Sequence, residues 1–375
     1  MGLSSIRLGD YIKRSTENNS DLKYGEELIK GVNSSGVFAS PKGSTLEVDL
    51  KPYKIVNNEA FVYNPTRLNL GSLAYRTEGL CIVSHLYIIF YLTDEGKKII
   101  NPQWLYIYFH RNEFKREVTF RNFGSQRPEF NFNDMSDITV PLPDIKTQQK
   151  YVDVYNAMVA NQKAYERGLE DLKLTCDAYI EDLRRQIPCE AIGPYIERHD
   201  VRNGQNGTKN VMGVSTTKEF REPTSKVNRN DLANYKVVKP RQISFVQTTH
   251  NEKVFCNALN NTDEDIVVTS VNEVFSTNEN KLLPEYLVMF FNRTEFDRYA
   301  RYHSWGSARE TFTWDDLIKV QIPIADMEVQ RSIVDIYTAY KQRRSINEKL
   351  KAQIKAICPI LIKGSIEEGS NSKEA

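Results

Sequence analysis

The chain has 375 residues, 40% of them apolar and 26% charged, a composition suited to a globular protein with room for two cores. Fifty Lys and Arg stand against 49 Asp and Glu, a formal net charge of +1, so any contact with nucleic acid must rest on local patches or on a partner's charge. Cys81, Cys176, Cys189, Cys256 and Cys358 are widely spaced without a Cys-x-x-Cys pair, which argues against a zinc site or a disulfide framework and suits reduced thiols. The start, Met1-Gly-Leu-Ser-Ser-Ile-Arg7, has no long apolar stretch, and runs such as Leu86–Leu92 fall far short of a membrane span, so a soluble, cytoplasmic chain with no membrane contact is expected.

In chain order, a short element at Leu8-Gly-Asp-Tyr-Ile12 is followed by Ala60–Tyr63 and Cys81–Leu92. Both are rich in β-branched and aromatic residues and bounded by Asn, Pro and Gly, which predicts strands. Pro102 suits the first turn of a helix, and Trp104, Leu105, Tyr108, Phe109 and Asn112 follow helical spacing. Gly124-Ser125 breaks that pattern, and a short strand ends at Pro141. From Gln148 to Ile187 there is no proline, and Val152, Tyr155, Val159, Leu169, Leu172, Cys176, Ile180, Leu183 and Ile187 recur every three or four residues, interrupted by Gln162, Glu166 and Lys173. The second half opens on Ile192-Gly-Pro-Tyr-Ile196, with strands at Ile243–Val246 and Asp265–Phe275, a helix from Pro284 and a strand ending at Pro323. A cleaner stripe follows at Ile333, Ile336, Tyr340, Asn347, Leu350, Ile354, Ile357 and Leu361, with Arg343 in the seam. At 1.5 Å per residue each helix reaches roughly 50–60 Å, more than a cap on one core needs, which predicts two long helices packed on each other. Glu367–Ala375 reads as a polar, frayed tail.

The chain repeats itself. Pro102, Leu105, Phe109, Arg111, Glu113 and Phe114 return as Pro284, Leu287, Phe291, Arg293, Glu295 and Phe296, a constant shift of 182. The same shift carries Gly124-Ser-Gln-Arg127 onto Gly306-Ser-Ala-Arg309, Pro141 onto Pro323, Gln148 onto Gln330 and Val152-Asp-Val-Tyr155 onto Val334-Asp-Ile-Tyr337. Upstream, Tyr53-Lys-Ile-Val56 matches Tyr235-Lys-Val-Val238, and Gly31-Val32 matches Gly213-Val214. Between these anchors the halves diverge. Asn64–Gly79 shares only a polar, basic character with its counterpart after Val246. A shared scaffold with unlike loops predicts two domains of one fold that read two different targets.

No catalytic motif is legible. Tyr63-Asn64-Pro65-Thr66 lacks the second proline and the aromatic ring of an amino-methyltransferase loop, and turn chemistry accounts for it. There is no Gly-x-Gly-x-x-Gly and no phosphate-cradling Gly-x4-Gly-Lys-Ser/Thr. Glu113-Phe-Lys115 has the spacing of a nuclease Glu-x-Lys but lies on a predicted helix without an upstream acidic ligand, and the five histidines form no ligand cluster. What remains is binding chemistry. Arg67, Arg76, Arg121 and Arg127 in the first half, with Arg241, His250, Lys253, Arg301 and Arg309 in the second, accompany Asn64, Asn69, Asn122, Gln126, Gln247, Thr248 and Asn251. Arginine pairs with guanine and Asn or Gln with adenine in the major groove, so this mixture suits direct readout of DNA. Gly124, Ser125, Gly306 and Ser307 would let the backbone of their turns approach it closely.

Pro141-Leu-Pro-Asp-Ile-Lys-Thr-Gln-Gln149 and Ile322-Pro-Ile-Ala-Asp-Met-Glu-Val-Gln330 each follow a Gly-Ser-x-Arg turn and lead into a long helix. With the duplication, this resembles the specificity subunits of Type I restriction–modification systems, over Leu8 to about Ile362. Their Ile-Pro-x-Pro-Pro-x-x-Glu-Gln motif departs here: the Glu-Gln reads Gln148-Gln149 in the first copy and Val329-Gln330 in the second, and Ala325 replaces a proline. The resemblance implies an α/β (α+β) fold, two tandem target-recognition domains separated by two long antiparallel coiled-coil helices with pseudo-twofold symmetry. The expected segments are recognition domain one over 1–145, a central helix over 146–188, recognition domain two over 189–327, a C-terminal helix over 328–364 and a disordered tail over 365–375. It further implies a non-enzymatic chain that binds double-stranded DNA, two methyltransferase subunits and restriction/translocase subunits. Each domain would read half of a bipartite target for adenine-N6 methylation and ATP-dependent cleavage. S-adenosylmethionine, ATP and Mg would serve the partners, with no cofactor and no metal on this chain. A stand-alone adenine-N6 methyltransferase lacks its motifs here, and a coiled-coil adaptor leaves the divergent loops unexplained.

Overall fold

The structure is a computed structural model and describes residues 3, 5–41, 43, 45, 48–121, 129–205, 207–224, 226–248, 254–304 and 310–371. The chain divides into two units, Met1–Tyr165 with Ile346–Ala375, and Glu166–Ser345.

In the first unit the strands Ile12–Ser15, Ile88–Leu92, Phe61–Tyr63 and Leu73–Tyr75 pair in that order into an antiparallel sheet. The run Cys81–Leu92, read as one strand, is two. Cys81–Val83 pairs with Lys54–Val56 in a separate ribbon, and a turn closed by the Tyr87 N–H on the Ser84 carbonyl (3.0 Å) leads into Ile88–Leu92. Phe61, Tyr63 and Phe90 share one face of the sheet because alternate residues point the same way and cross-strand partners stand side by side. Against that face lie Trp104, Leu105 and Phe109 of the helix Pro102–Phe109 and Phe114 of the helix Asn112–Arg121, all buried. Each such ring contributes roughly 1.5–3 kcal/mol through burial.

The beginning of the central helix Ile145–Gln186 and the end of the C-terminal helix Met327–Asn371 complete this unit. They run antiparallel, since Lys150 pairs with Glu368 at 2.7 Å while the Gln162 amide donates to Asn347 Oδ1 at 3.0 Å. Gln162 and Asn347 are buried, so a polar pair sits within the apolar seam, where it favours one register over its neighbours. As far as Asn371, the last described residue, the tail expected from composition is helical. The helix runs through Pro359 to Asn371, Ser365 is fully buried and accepts the Trp104 indole N–H at 3.0 Å, and Ile362 and Ile366 join the core. Two apolar residues four apart are enough to dock a segment that is otherwise polar.

Glycine at position 36 (φ +75°) is required because a Cβ there would meet the His110 ring and the Leu73 carbonyl. His110 Nδ1 contacts the Tyr106 carbonyl at 2.8 Å, while its Nε2 is buried without a partner although part of the residue reaches solvent. Burial lowers the His110 pKa to about 4, with the nearby Lys115 and Lys355 charges adding to the effect. The unfolded imidazole titrates near 6.5, so the neutral ring's contribution is complete above that pH and is lost as pH falls toward 4. Urea unfolding of the full chain should therefore show about 2 kcal/mol less stability at pH 4.5 than at pH 7.5 from this group. His110→Asn, which installs the residue found at the matched Asn292, should remove that increment; an unchanged pH profile in the variant would refute it.

The second unit repeats the arrangement. Ile196–His199, Asn272–Thr277, Ile243–Val246 and Asn257–Leu259 form its four-stranded sheet, and Lys236–Val238 pairs with Ile266–Val268. Asp265–Phe275 is again two strands in two sheets. Phe245, Phe275, Tyr286, Phe291 and Phe296 build the core, joined by Ile180, Leu183 and Ile333 of the long helices. Positive φ recurs at matched positions, Leu22 with Gly204, Gly36 with Lys218 and Glu59 with Arg241, so the two units share backbone even where side chains differ. At Lys218 the matched Asn292 turns to the Tyr337 hydroxyl (2.7 Å), and the lysine ammonium fills the space, donating to the Phe291 carbonyl at 2.7 Å and pairing with Asp297 at 2.8 Å.

One junction is reproduced bond for bond. The fully buried Gln148 donates to the carbonyls of Ile99 (2.8 Å) and Pro143 (2.7 Å) and accepts the Asn101 N–H (2.7 Å). Gln330, equally buried, donates to Lys281 (2.8 Å) and Ala325 (2.7 Å) and accepts from Leu283 (2.9 Å). The motif glutamine of the first copy is thus Gln148, preceded by Thr147, and not Gln149, which lies exposed at the next position.

Candidate nucleic-acid interface

In each unit a strand end and a returning loop meet. The Phe130 N–H donates to the Pro65 carbonyl at 3.0 Å, and in the second unit the Phe312 N–H donates to the Gln247 carbonyl at 2.8 Å. These bonds pin the C-terminal flanks of the Gly-Ser-x-Arg turns. The turns themselves, with Gly124, Ser125, Arg127, Gly306, Ser307 and Arg309, lie outside the described residues, as do His250 and Lys253.

Asn64-Pro65-Thr66-Arg67 leaves the strand Phe61–Tyr63 through turn chemistry, with Asn64 Oδ1 accepting from the Thr66 N–H (3.1 Å) and hydroxyl (2.9 Å). Arg67 follows at the surface, its guanidinium without a partner among the described residues. Arg76 is tied back to its own turn, donating to the Gly79 carbonyl at 3.2 Å and lying 5.2 Å from the Phe38 ring centre. Arg121 pairs with Glu117 one helical turn earlier at 2.8 Å. Arg301 stands 3.9 Å from Glu310 and remains half exposed.

Arg241, expected among the DNA readers, is half exposed and pairs with Glu279 at 2.6 Å and Glu285 at 2.5 Å, bonds that raise its pKa above the usual arginine range. The matched pair in the first unit is Glu59 with Lys97, the same bridge with its charges exchanged. A left-handed residue anchored by an ion pair thus recurs in both units.

The first unit holds a cleft of about 690 Å³ lined by Arg14, Lys54, Asn64, Thr66, His85 and Asn131, among others. Arg14 has no hydrogen-bond or ion-pair partner among the described residues, and Lys54 donates to the Tyr87 carbonyl at 2.6 Å. Burial, then the charge of Arg14, lowers the Lys54 pKa. Sequence reasoning missed Arg14, Lys54, His85 and Asn131. A signal for two of them existed, since Arg14 follows Tyr11-Ile12 as Arg198 follows Tyr195-Ile196, and Lys54 matches Lys236.

The second unit treats those positions differently. Glu273, buried, accepts from Arg198 Nε (2.8 Å) and Nη2 (2.7 Å) and from the Gln247 amide (2.5 Å), and lies 3.5 Å from Lys236 Nζ. Lys236 also faces Asp200 at 3.4 Å. Among the described residues no group of His, Cys, Asp and Glu is arranged to hold a metal ion, and no helix is long and apolar enough to cross a membrane.

Residues 7–171 match the family described as the Type I restriction modification DNA specificity domain. No curated protein matches the chain. Among solved structures, the S subunit of a Type-I restriction-modification system from M. genitalium has a similar fold, with a TM-score of 0.60 and 10% identity over 98% of this chain and 96% of that one. The HsdS subunit from Thermoanaerobacter tengcongensis aligns over 97% of this chain and 96% of its own, at 14% identity and a TM-score of 0.40.

Proposed function

We propose that this chain is a DNA specificity subunit of the Type I restriction–modification family, whose model matches residues 7–171, and that each of its two units reads one half of a bipartite double-stranded target. The observation that carries this reading is a fold built twice, with matched strands, matched junction glutamines and matched left-handed positions, while segments such as Asn64–Gly79 diverge from their counterparts. A duplicated scaffold with unlike loops recognises two unlike sequences. The chain supplies address and not chemistry. Two methyltransferase subunits, with S-adenosylmethionine, carry out adenine-N6 methylation where it directs them, and restriction/translocase subunits use ATP and Mg to cut unmodified DNA. Partner cations supply much of the phosphate neutralisation that the near-neutral chain does not.

A domain exchange tests the assignment. Ser15 and His199 end matched strands, as do Pro141 and Pro323, so replacing 16–141 by 200–323 joins the segments at equivalent backbone. Methylome sequencing of cells carrying the hybrid and its modification subunits should show a target whose two specified halves are both those read by the second unit. A hybrid that assembles normally and still methylates the original target would overturn the one-unit, one-half-site reading.

A further inference from the structure

We infer that the cleft of the first unit holds a DNA backbone phosphate between Arg14 and Lys54, and that the residue at position 88 decides whether a unit of this chain offers such a site. The inference rests on the DNA-recognition reading and names where one contact falls.

The registers of the two sheets make the comparison direct. Arg14 stands opposite Phe90 as Arg198 stands opposite Phe275, and Lys54 opposite Val83 as Lys236 opposite Val268. Tyr63 faces Ile88 where Phe245 faces Glu273. Ile88 and Glu273 are therefore the same position in two copies of one sheet. In the second unit that position supplies a carboxylate which takes up Arg198, Lys236 and Gln247, so both cations there already have a counter-charge. In the first unit it supplies an aliphatic side chain, and the two cations line an open cleft.

Lys54 is a poor place for an unpaired charge, since burial and, after it, the charge of Arg14 lower its pKa. An anion between the two supplies a counter-charge and gains charge-assisted hydrogen bonds. Among the described lining residues Glu129 is the carboxylate, and it lies exposed at the surface. The neighbouring donors fit an oxyanion as well, since the Asn64 amide nitrogen has no partner among the described residues and His85 lies exposed. The polymer that brings a phosphate to a recognition domain is DNA, and Arg67 and the pinned flank of the Gly124–Arg127 turn adjoin the same strand end.

The test measures duplex binding by the full chain, assembled with its modification subunits, across a potassium chloride series. Wild type is compared with Arg14→Gln, Ile88→Glu and Ile88→Gln. Ile88→Glu supplies the carboxylate that the second unit has, and Ile88→Gln is its uncharged control. Arg14→Gln and Ile88→Glu should each reduce the slope of log affinity against log salt by about one and weaken specific and non-specific duplexes alike, while Ile88→Gln keeps the wild-type slope. Should Ile88→Glu fail to fold, Arg14→Gln decides alone, because its side chain has no partner among the described residues to lose. A wild-type slope and affinity in Arg14→Gln would overturn the phosphate site while leaving DNA recognition intact. A loss confined to one target sequence would make Arg14 a base reader and overturn it too. Inorganic phosphate binding that Arg14→Gln abolishes, with DNA affinity unchanged, would assign the cleft to a small anion instead. Wild-type complex that binds no duplex even at low salt would sink the DNA reading itself.

Discussion

Glu273→Ala should destabilise the second unit by about 3–5 kcal/mol, the cost of breaking a buried ion pair from one side. The Lys236 side chain is only 5% exposed, and its two partners are Glu273 at 3.5 Å and Asp200 at 3.4 Å, of which only Glu273 is buried with it. Removing Glu273 leaves an ammonium that has lost most of its water and keeps one exposed carboxylate. Arg198 is half exposed and recovers much of its hydration, so the larger part of the penalty belongs to Lys236. The double variant Glu273→Ile, Lys236→Met should regain most of the loss, because an apolar pair of similar volume leaves no charge stranded. Hydrogen exchange read by mass spectrometry separates the units, and the effect should appear in Glu166–Ser345 and not in the first unit. A loss under about 1 kcal/mol for Glu273→Ala would show that Lys236 is solvated, contrary to the burial described.

Gln330→Leu should cost about 3 kcal/mol or more in the second unit, and Gln148→Leu a similar amount in the first. Each glutamine satisfies two backbone carbonyls and one N–H at 2.7–2.9 Å from a fully buried position, so an isosteric apolar side chain strands three polar groups together. The bonds fasten the first turn of a long helix to the segment that leads into the helices Pro102–Phe109 and Pro284–Phe291. The variants should therefore also loosen those helices in hydrogen exchange. Gln149→Ala is the control. Its amide donates to Asp153 at 2.7 Å and its oxygen accepts from Asn101 at 2.7 Å, both at the surface, and its loss should stay within about 0.5 kcal/mol. Equal costs at 148 and 149 would mean that both share the junction.

What this sequence determined by itself is whatever repeats or has a short period. The shift of 182 exposed the duplication, the three-and-four stripes predicted long helices over 146–188 and 328–364 where the structure has Ile145–Gln186 and Met327–Asn371, and the motif before each helix carried the family resemblance. Such signals survive because helical spacing and sequence identity are local quantities, legible without knowing what lies across the sheet. Tertiary structure alone decided which charges meet. Glu273 reaches Arg198, Lys236 and Gln247 across intervals of 26 to 75 residues, Arg241 reaches Glu279 and Glu285, and Arg14 and Lys54 come to line one cleft from strands in different sheets. The same holds for Ser365, whose burial under Trp104 spans 261 residues and turns an apparent tail into part of a core. A strand's alternation shows which face a residue takes, but its neighbour on that face is set by the register of pairing. Register is a property of the whole sheet, because a slip by one residue turns every side chain over.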